Sequence, residues 1–336
     1  MGGWQVVVAD GHAVLPEGMT HLPDEAFFDR TSLVSVAFPR SLTFIGNRAF
    51  YNCSSLISID LPASLASIGE GAFCGCSALS SVTLPVGLTS IGTRAFEYCS
   101  SLVYIDLPPA LTSIGSRAFA GCSSLAAINL PAGLTSIGSR AFSSCSALSS
   151  CCCTLANVAL PAGLVSIRSY AFHCCSSLSS VTFPAGLTSI GIGAFWGCSS
   201  LGFVTLPASL TSIGSGAFDR CSALSRVTFP AGLTSIGMNA FAGCPSLTRV
   251  TVPDTATIST AFPPATTVLR LPPKRMRDLQ RWYEAVDGAL AYKRCRPLLY
   301  GWLERAQTGL GSYGPDGAAR QRDLEEFEGD FGLLVE

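Results

Sequence analysis

Apolar positions recur every 23 residues along most of the chain. With one recurring Phe as a landmark, the intervals from Phe27 to Phe241 are all 23 residues, except that from Phe142 to Phe172, which is 30. A fixed period of this length is typical of solenoids, in which each repeat is one turn that buries its apolar face against its neighbours. The pattern therefore predicts a repeat solenoid rather than two or three globular domains.

Each repeat predicts three local elements. In the copy around Phe119, residues 126–130 (AAINL) alternate between inward and outward positions, which favours a short strand. The stretch GLTSIG, residues 133–138, favours a second short extended segment, and we expect its last glycine, Gly138, to adopt a positive φ. The residues around the landmark, SRAFAGC, favour a tight turn or a single helical turn.

The consensus LPxxLTSIGxxAFxxCSSLxSVTLP resembles the leucine-rich repeats of the BspA-like type, over residues 13–262. The resemblance implies a right-handed leucine-rich-repeat solenoid, rich in short parallel β-strands that form a sheet on one face. Members of that family are mostly cell-surface binding or adhesion proteins of bacteria and some protists. It implies a general capacity to bind rather than a particular ligand.

Outside the repeats the composition changes. Residues 1–12 are predicted to form an N-terminal cap, and the seven extra residues of the long repeat are placed at 149–155. The last 71 residues hold 11 of the 21 Lys and Arg and 11 of the 22 Asp and Glu. Residues 263–336 are predicted as a small α-helical cap or extension with an acidic tail, with helices at about 274–290 and 296–307. A docking role for these helices is the alternative.

Charge and hydropathy limit the kinds of partner that the sequence predicts. The net charge of −1 provides no basic excess, so we expect no nucleic-acid partner. No apolar run reaches the roughly 18 residues that span a bilayer, so no membrane insertion is expected. The N-terminus lacks the pattern of a signal peptide, which predicts a cytoplasmic or otherwise intracellular monomer, with an extracellular location left open.

The cysteines occur mainly at one position of the repeat. Stacked turns would place nine of them in one column with parallel Cβ vectors, a geometry that suits disulfides poorly and favours a buried, reduced ladder. These nine are Cys53, Cys76, Cys99, Cys122, Cys145, Cys175, Cys198, Cys221 and Cys244. Cys151, Cys152 and Cys153 in the insertion lack paired metal-ligand spacing, so no metal or cofactor is predicted. A redox-sensitive bulge and a plain surface bulge stay open.

No local motif predicts catalysis. The three histidines do not recur, and no P-loop, dinucleotide fingerprint or nucleophile elbow is present, so we expect no enzyme activity. Threonines of the LTS stretch could instead form a hydroxyl ladder that binds ice or carbohydrate.

Function is expected where the repeats differ on the outward strand positions, eight and ten residues after the landmark. Aromatic and Arg side chains there are typical of binding hot spots. The candidates are Tyr104, Phe203, Arg226 and Arg249, with Asp60 and Asp106 marking an acidic N-terminal half. Neutral variation on a solvated face is the alternative explanation. The sequence predicts a non-enzymatic scaffold that binds another protein, with a surface adhesin or carbohydrate-binding protein as the alternative.

Overall fold

The computed structural model describes residues 7–147 and 157–278. The chain divides into two units, Met1–Met276 and Arg277–Glu336, and the described residues of the first form a β-solenoid of about ten turns. The predicted insertion at 149–155, with Cys151, Cys152 and Cys153, lies outside the described residues, as does the predicted second helix.

Each regular turn contains two short strands. The first follows the landmark by eight residues and pairs in parallel with its counterpart 23 residues away, for example Ser58 with Ser81. These first strands are His12–Val14, Ser35–Ala37, Ser58–Asp60, Ser81–Thr83, Tyr104–Ile105, Ala127–Ile128, Asn157–Ala159, Ser180–Thr182, Phe203–Thr205, Arg226–Thr228 and Arg249–Pro253. Their middle Ile and Val side chains point into the core, which confirms the alternation seen in the sequence.

The second strand is formed by the Ser-Ile pair of the SIG stretch. Its isoleucine is buried in nearly every turn, and the pairing is again parallel, as between Ser189 and Ser212. These second strands are His21–Leu22, Phe44–Ile45, Ser67–Ile68, Ser90–Ile91, Ser113–Ile114, Ser136–Ile137, Ser166–Ile167, Ser189–Ile190, Ser212–Ile213, Ser235–Ile236 and Thr257–Ile258.

A third ladder of hydrogen bonds runs along the turn around the landmark. In one repeat the N–H groups of Arg94, Phe96 and Tyr98 donate to carbonyls of the next repeat at 2.9, 2.8 and 2.7 Å. In nearly every turn the residues two before and two after the landmark have positive φ, including Arg94 (57°) and Tyr98 (60°). The prediction of a tight turn is confirmed, and its left-handed residues were not foreseen.

The prediction for the SIG glycines is wrong. Gly115 and its equivalents do not have positive φ. A Cβ on Gly115 would lie 2.6 Å from the backbone of Gly92 in the preceding turn. The glycine is required because two backbones approach closely, and not because of its conformational freedom.

Two columns of side chains run through the core, beside further columns of Leu, Ile and Ala. The landmark phenylalanines stack from Phe27 to Phe262 with ring centroids 5.1–5.6 Å apart and nearly parallel planes. The stack continues across the long repeat, where Phe142 and Phe172 lie 5.4 Å apart. Seven extra residues are therefore accommodated without breaking the column.

The second column is the predicted cysteine ladder. All nine thiols are buried and free, and each Sγ donates to the carbonyl oxygen of the landmark Phe of the preceding turn at 3.1–3.2 Å. Burial raises the pKa of Cys122 to about 12. The ladder thiols thus serve as hydrogen-bond donors inside the core.

The two ends of the array depart from the repeat. At the start, strand Val7–Ala9 pairs antiparallel with His12–Val14 as a hairpin. At the other end, strand Thr267–Leu271 pairs in parallel with Arg249–Pro253, and the sequence did not predict this strand beyond residue 262. A helix begins at residue 273 and contributes Met276 to the core. Within the described residues no helix has the length and apolar character needed to cross a membrane.

Candidate functional site

The first strands present the predicted sheet-face residues to solvent. Phe203 and Arg226 are register partners in adjacent parallel strands, and the Phe203 side chain is 52% exposed. Arg249 occupies the equivalent exposed position one turn later. The structure thus brings together an aromatic ring and two guanidinium groups on three consecutive turns.

Tyr104 does not belong to this group. It is 48% exposed and pairs with Ala127, four turns before Phe203. At about 4.8 Å per turn, roughly 20 Å of sheet separates the two rings. A ligand that contacts both must therefore extend along the array.

Asp60 and Asp106 lie on alternate turns with Thr83 between them. The Thr83 hydroxyl donates to Asp60 Oδ1 at 3.1 Å, and both carboxylates are exposed. The outward assignment of this second strand position fails further along, because Thr228 is only 7% exposed. At this strand position, Asp60 and Asp106 are therefore more exposed to solvent than Thr228, which follows Arg226 in the same strand.

The threonines of the LTS stretch point their hydroxyls at the backbone. Thr211 Oγ1 donates to the Thr188 carbonyl at 3.0 Å, and Thr234 Oγ1 donates to Thr211 at 2.8 Å. The same bond recurs at Thr43, Thr112, Thr135, Thr188 and Thr257. These protons are already used within the solenoid, which weighs against the hydroxyl-ladder alternative.

A second variable surface was missed by the sequence reasoning. We call it the turn face, and it consists of the residues two before, one after and two after each landmark. It carries much of the Arg, Tyr, Trp and His of the array. These residues are Arg48, Tyr51, Arg94, Tyr98, Arg117, Arg140, Tyr170, His173, Trp196 and Arg220. The signal was present, because these three letters vary from repeat to repeat while the letters around them stay constant.

One part of the turn face is a connected aromatic cluster. His173 stacks on Trp196 with ring centroids 4.8 Å apart, and Trp196 Nε1 donates to Asp219 Oδ2 at 3.1 Å. The Arg140 guanidinium lies 4.5 Å from the Tyr170 ring centre, and Arg220 lies over Trp196. Burial, and then Arg140, lower the pKa of His173, which favours its neutral form.

The other histidines form isolated polar contacts. His12 Nδ1 lies 2.6 Å from Ser35 Oγ on the exposed sheet edge, and His21 Nδ1 lies 2.9 Å from Thr20 Oγ1. Neither ring contacts a carboxylate among the residues that the structure covers, so no orienting acid completes a catalytic triad there. Across the same ranges, 7–147 and 157–278, no group of three His, Cys, Asp or Glu side chains is placed to hold a metal ion.

Comparison with known families gives one match. Residues 12–108 and 149–262, more than half of the chain, match the BspA type leucine rich repeat region, in six copies. A comparison with curated proteins found no match.

Similar solved structures come from several bacteria. A leucine-rich repeat protein from Eubacterium ventriosum is 21% identical with a TM-score of 0.51, covering 81% of this chain and 83% of that one. The pneumococcal vaccine antigen PcpA is 19% identical with a TM-score of 0.50, covering 78% and 79%. A leucine rich cell surface protein from Faecalibacterium prausnitzii is 27% identical with a TM-score of 0.44, covering 83% and 96%. The first two similarities show the fold alone.

Proposed function

Because the chain belongs to the family of BspA-type leucine-rich repeat proteins, we propose that it is a non-enzymatic scaffold that binds another protein through the sheet face. The observation that carries the proposal is the pairing of exposed Phe203 with Arg226, continued by Arg249 on the next turn. Arg is enriched in binding hot spots, and both Phe and Arg are enriched in the cores of protein interfaces.

The rigidity of the backbone under these side chains supports the same function. Each strand is fixed by parallel hydrogen bonds on a continuous apolar core, so Phe203 and Arg226 are held in register before a partner arrives. Preorganisation of this kind lowers the entropic cost of association. An array of short parallel strands also offers an extended surface rather than a deep pocket, which suits a protein partner.

A site-specific crosslink tests the proposal. Phe203→p-benzoylphenylalanine places a photoreactive ring at the centre of the proposed site, and we expect it to capture a discrete protein partner in cells. The matched control places the same residue at Val86, which is 74% exposed in the turn after a first strand. Equal crosslinking from both positions, or none from Phe203, would contradict the proposal.

The cellular location and the oligomeric state of the protein belong to the same proposal. The predicted cytoplasmic or otherwise intracellular location stays a prediction, as does the monomeric state. Cell fractionation followed by gel filtration of the native protein tests both. Recovery at the cell surface would instead favour the adhesin alternative.

A further inference from the structure

One repeat leaves a gap in the turn face. The repeat of Phe73 carries only small residues there, Gly71, Cys74 and Gly75, whereas the repeats on both sides carry long ones. A cavity of about 210 Å³ results, with Cys74 among the residues that line it. This volume is below the roughly 300 Å³ at which pockets for drug-sized molecules begin, and it suits a single side chain.

Charged side chains from four consecutive turns surround the cavity. Arg48, Arg94 and Arg117 line it together with the carboxylates of Glu70 and Glu97. These five groups have a net charge of +1 when all are ionised. Tyr98 is 62% exposed at the same cavity and offers an aromatic surface to whatever enters.

The guanidinium groups retain unused donors. Arg48 Nη1 lies 3.4 Å from Glu25 Oε1, and Arg94 Nε lies 3.4 Å from Glu97 Oε2. The Arg117 guanidinium forms no hydrogen bond or ion pair within the part of the chain that the structure describes. Since each guanidinium has five N–H donors, several donors at the cavity remain for a ligand.

Glu97 supports this arrangement from the cavity wall. The residue is only 6% exposed, and its carboxylate accepts no hydrogen bond among the described residues. Burial raises its pKa, although Arg94 and Arg117 act in the opposite direction. A buried carboxylate of this kind carries a desolvation cost, which its ion pair with Arg94 offsets only in part.

The backbone conformation of these arginines also carries an energetic cost that the fold by itself does not require. Arg48, Arg94 and Arg117 have φ values of 52°, 57° and 57°. A non-glycine residue in this region costs roughly 1 kcal/mol or more. Glycine occupies the same repeat position at Gly71, Gly193 and Gly216, so the fold does not need arginine there.

We propose that this cavity binds the carboxylate of an acidic side chain from a partner polypeptide, with Arg117 and Arg48 as donors. The single charge of a carboxylate matches the net charge of the lining. A phosphate dianion would meet Glu70 and Glu97 with one charge in excess. The partner being a polypeptide rests on the proposed function, but the cavity shares no residue with Phe203, Arg226 and Arg249.

The test uses the full chain and a peptide with one charge, acetyl-Gly-Gly-Glu-Gly-Gly-amide, in a saturation-transfer NMR titration. We expect a dissociation constant on the order of 1 mM, and at least about 10-fold weaker binding of the matched Gln peptide. Inorganic phosphate is titrated as a competitor. Equal binding of the Glu and Gln peptides, no binding of either, or tighter binding of phosphate would overturn the proposal.

Variants locate the binding. Arg117→Gln should weaken it about 10-fold, whereas Arg140→Gln, at the same repeat position with the same φ of 57° but outside the cavity, should leave it unchanged. Glu97→Gln should tighten it, because a repulsive charge is removed. Equal effects of the two arginine variants would contradict the assignment.

A cavity-filling variant provides an independent check. Cys74→Tyr places in the gap the residue type found one turn earlier, at Tyr51, and should abolish binding while the fold is retained. Ala242→Tyr adds the same side chain at the same repeat position elsewhere and should not affect binding. The triple variant Phe203→Ala/Arg226→Ala/Arg249→Ala should still bind the peptide, so failure of the sheet-face proposal and failure of this one remain distinguishable.

Discussion

The ring of Tyr98 lies against Gly121, the equivalent residue of the next turn. A Cβ on Gly121, whose φ is 75°, would be 2.5 Å from Tyr98 Cδ1. The same relationship joins Tyr170 to Gly193 and Asn52 to Gly75. At these three places the larger side chain occupies the space that a Cβ on the following glycine would need.

This coupling predicts a specific mutational pattern. Gly121→Ala should destabilise the protein by about 2–4 kcal/mol, from the left-handed backbone and the contact with the ring. In the Tyr98→Ala background the same change should cost only about 1–2 kcal/mol, because the contact is gone and the backbone penalty remains. Urea unfolding of the four proteins measures the difference, and additive effects would contradict the coupling.

The cysteine ladder predicts protection from alkylation. Cys122 is buried, and burial raises the pKa of its thiol to about 12, so almost no thiolate is present there at pH 8. Cys174 is partly exposed, and its partial burial raises the pKa of its thiol. We expect iodoacetamide to modify Cys174 at least about 100-fold faster than Cys122, since the ladder must unfold to react. Mass spectrometry of peptides over time measures both rates, and similar rates would mean that the ladder is accessible.

Glu97 predicts an unusual dependence of stability on pH. Its folded-state pKa is raised above 4.5, chiefly by burial, so ionisation opposes folding. The associated stability is fully present below about pH 4.5 and is lost as pH rises through the raised pKa. Glu97→Gln should therefore raise the melting temperature at pH 7, with a benefit that shrinks towards pH 4. The exposed Glu70→Gln is the control, and a benefit independent of pH would exclude this explanation.

The regular register predicts that whole repeats can be removed. Deletion of residues 97–119 joins Phe96 to Ala120 and leaves the Phe and Cys columns in step. We expect cooperative unfolding with a urea m-value lower by about a tenth, because one of about ten turns is lost. Deletion of only 20 residues over the same region shifts both columns out of register and should prevent folding. Equal stability of the two deletions would show that the columns do not determine the fold.

Much of the fold followed from the spacing in the sequence. The period placed Phe119 and Cys122 in buried columns because identical residues of a solenoid must stack, and the alternation around Ile128 identified the strand. The sequence could not reveal that Gly115 is required by contact with the preceding turn, since that distance depends on how closely the turns pack. Strand Thr267–Leu271 was missed because it pairs without repeating the consensus.

The candidate sites were less predictable. The outward positions of Phe203 and Arg226 followed from alternation, but their role as binding residues stays a prediction. The cavity beside Glu97 depends on small residues in one repeat and large ones in its neighbours. Reading the turn positions as columns would have located this gap, although not the burial of the carboxylate.

The central claim is that the sheet face binds a protein, and an affinity measurement tests it most directly. The partner captured by the crosslink at Phe203 is titrated by calorimetry against the wild-type chain, Phe203→Ala/Arg226→Ala/Arg249→Ala, and the control Ser58→Ala/Ser81→Ala/Thr83→Ala on the same face. We predict at least about 30-fold weaker binding for the first variant, about 2 kcal/mol, and less than about a 3-fold change for the control. Unchanged affinity of the first variant, with its melting temperature preserved, would contradict the account.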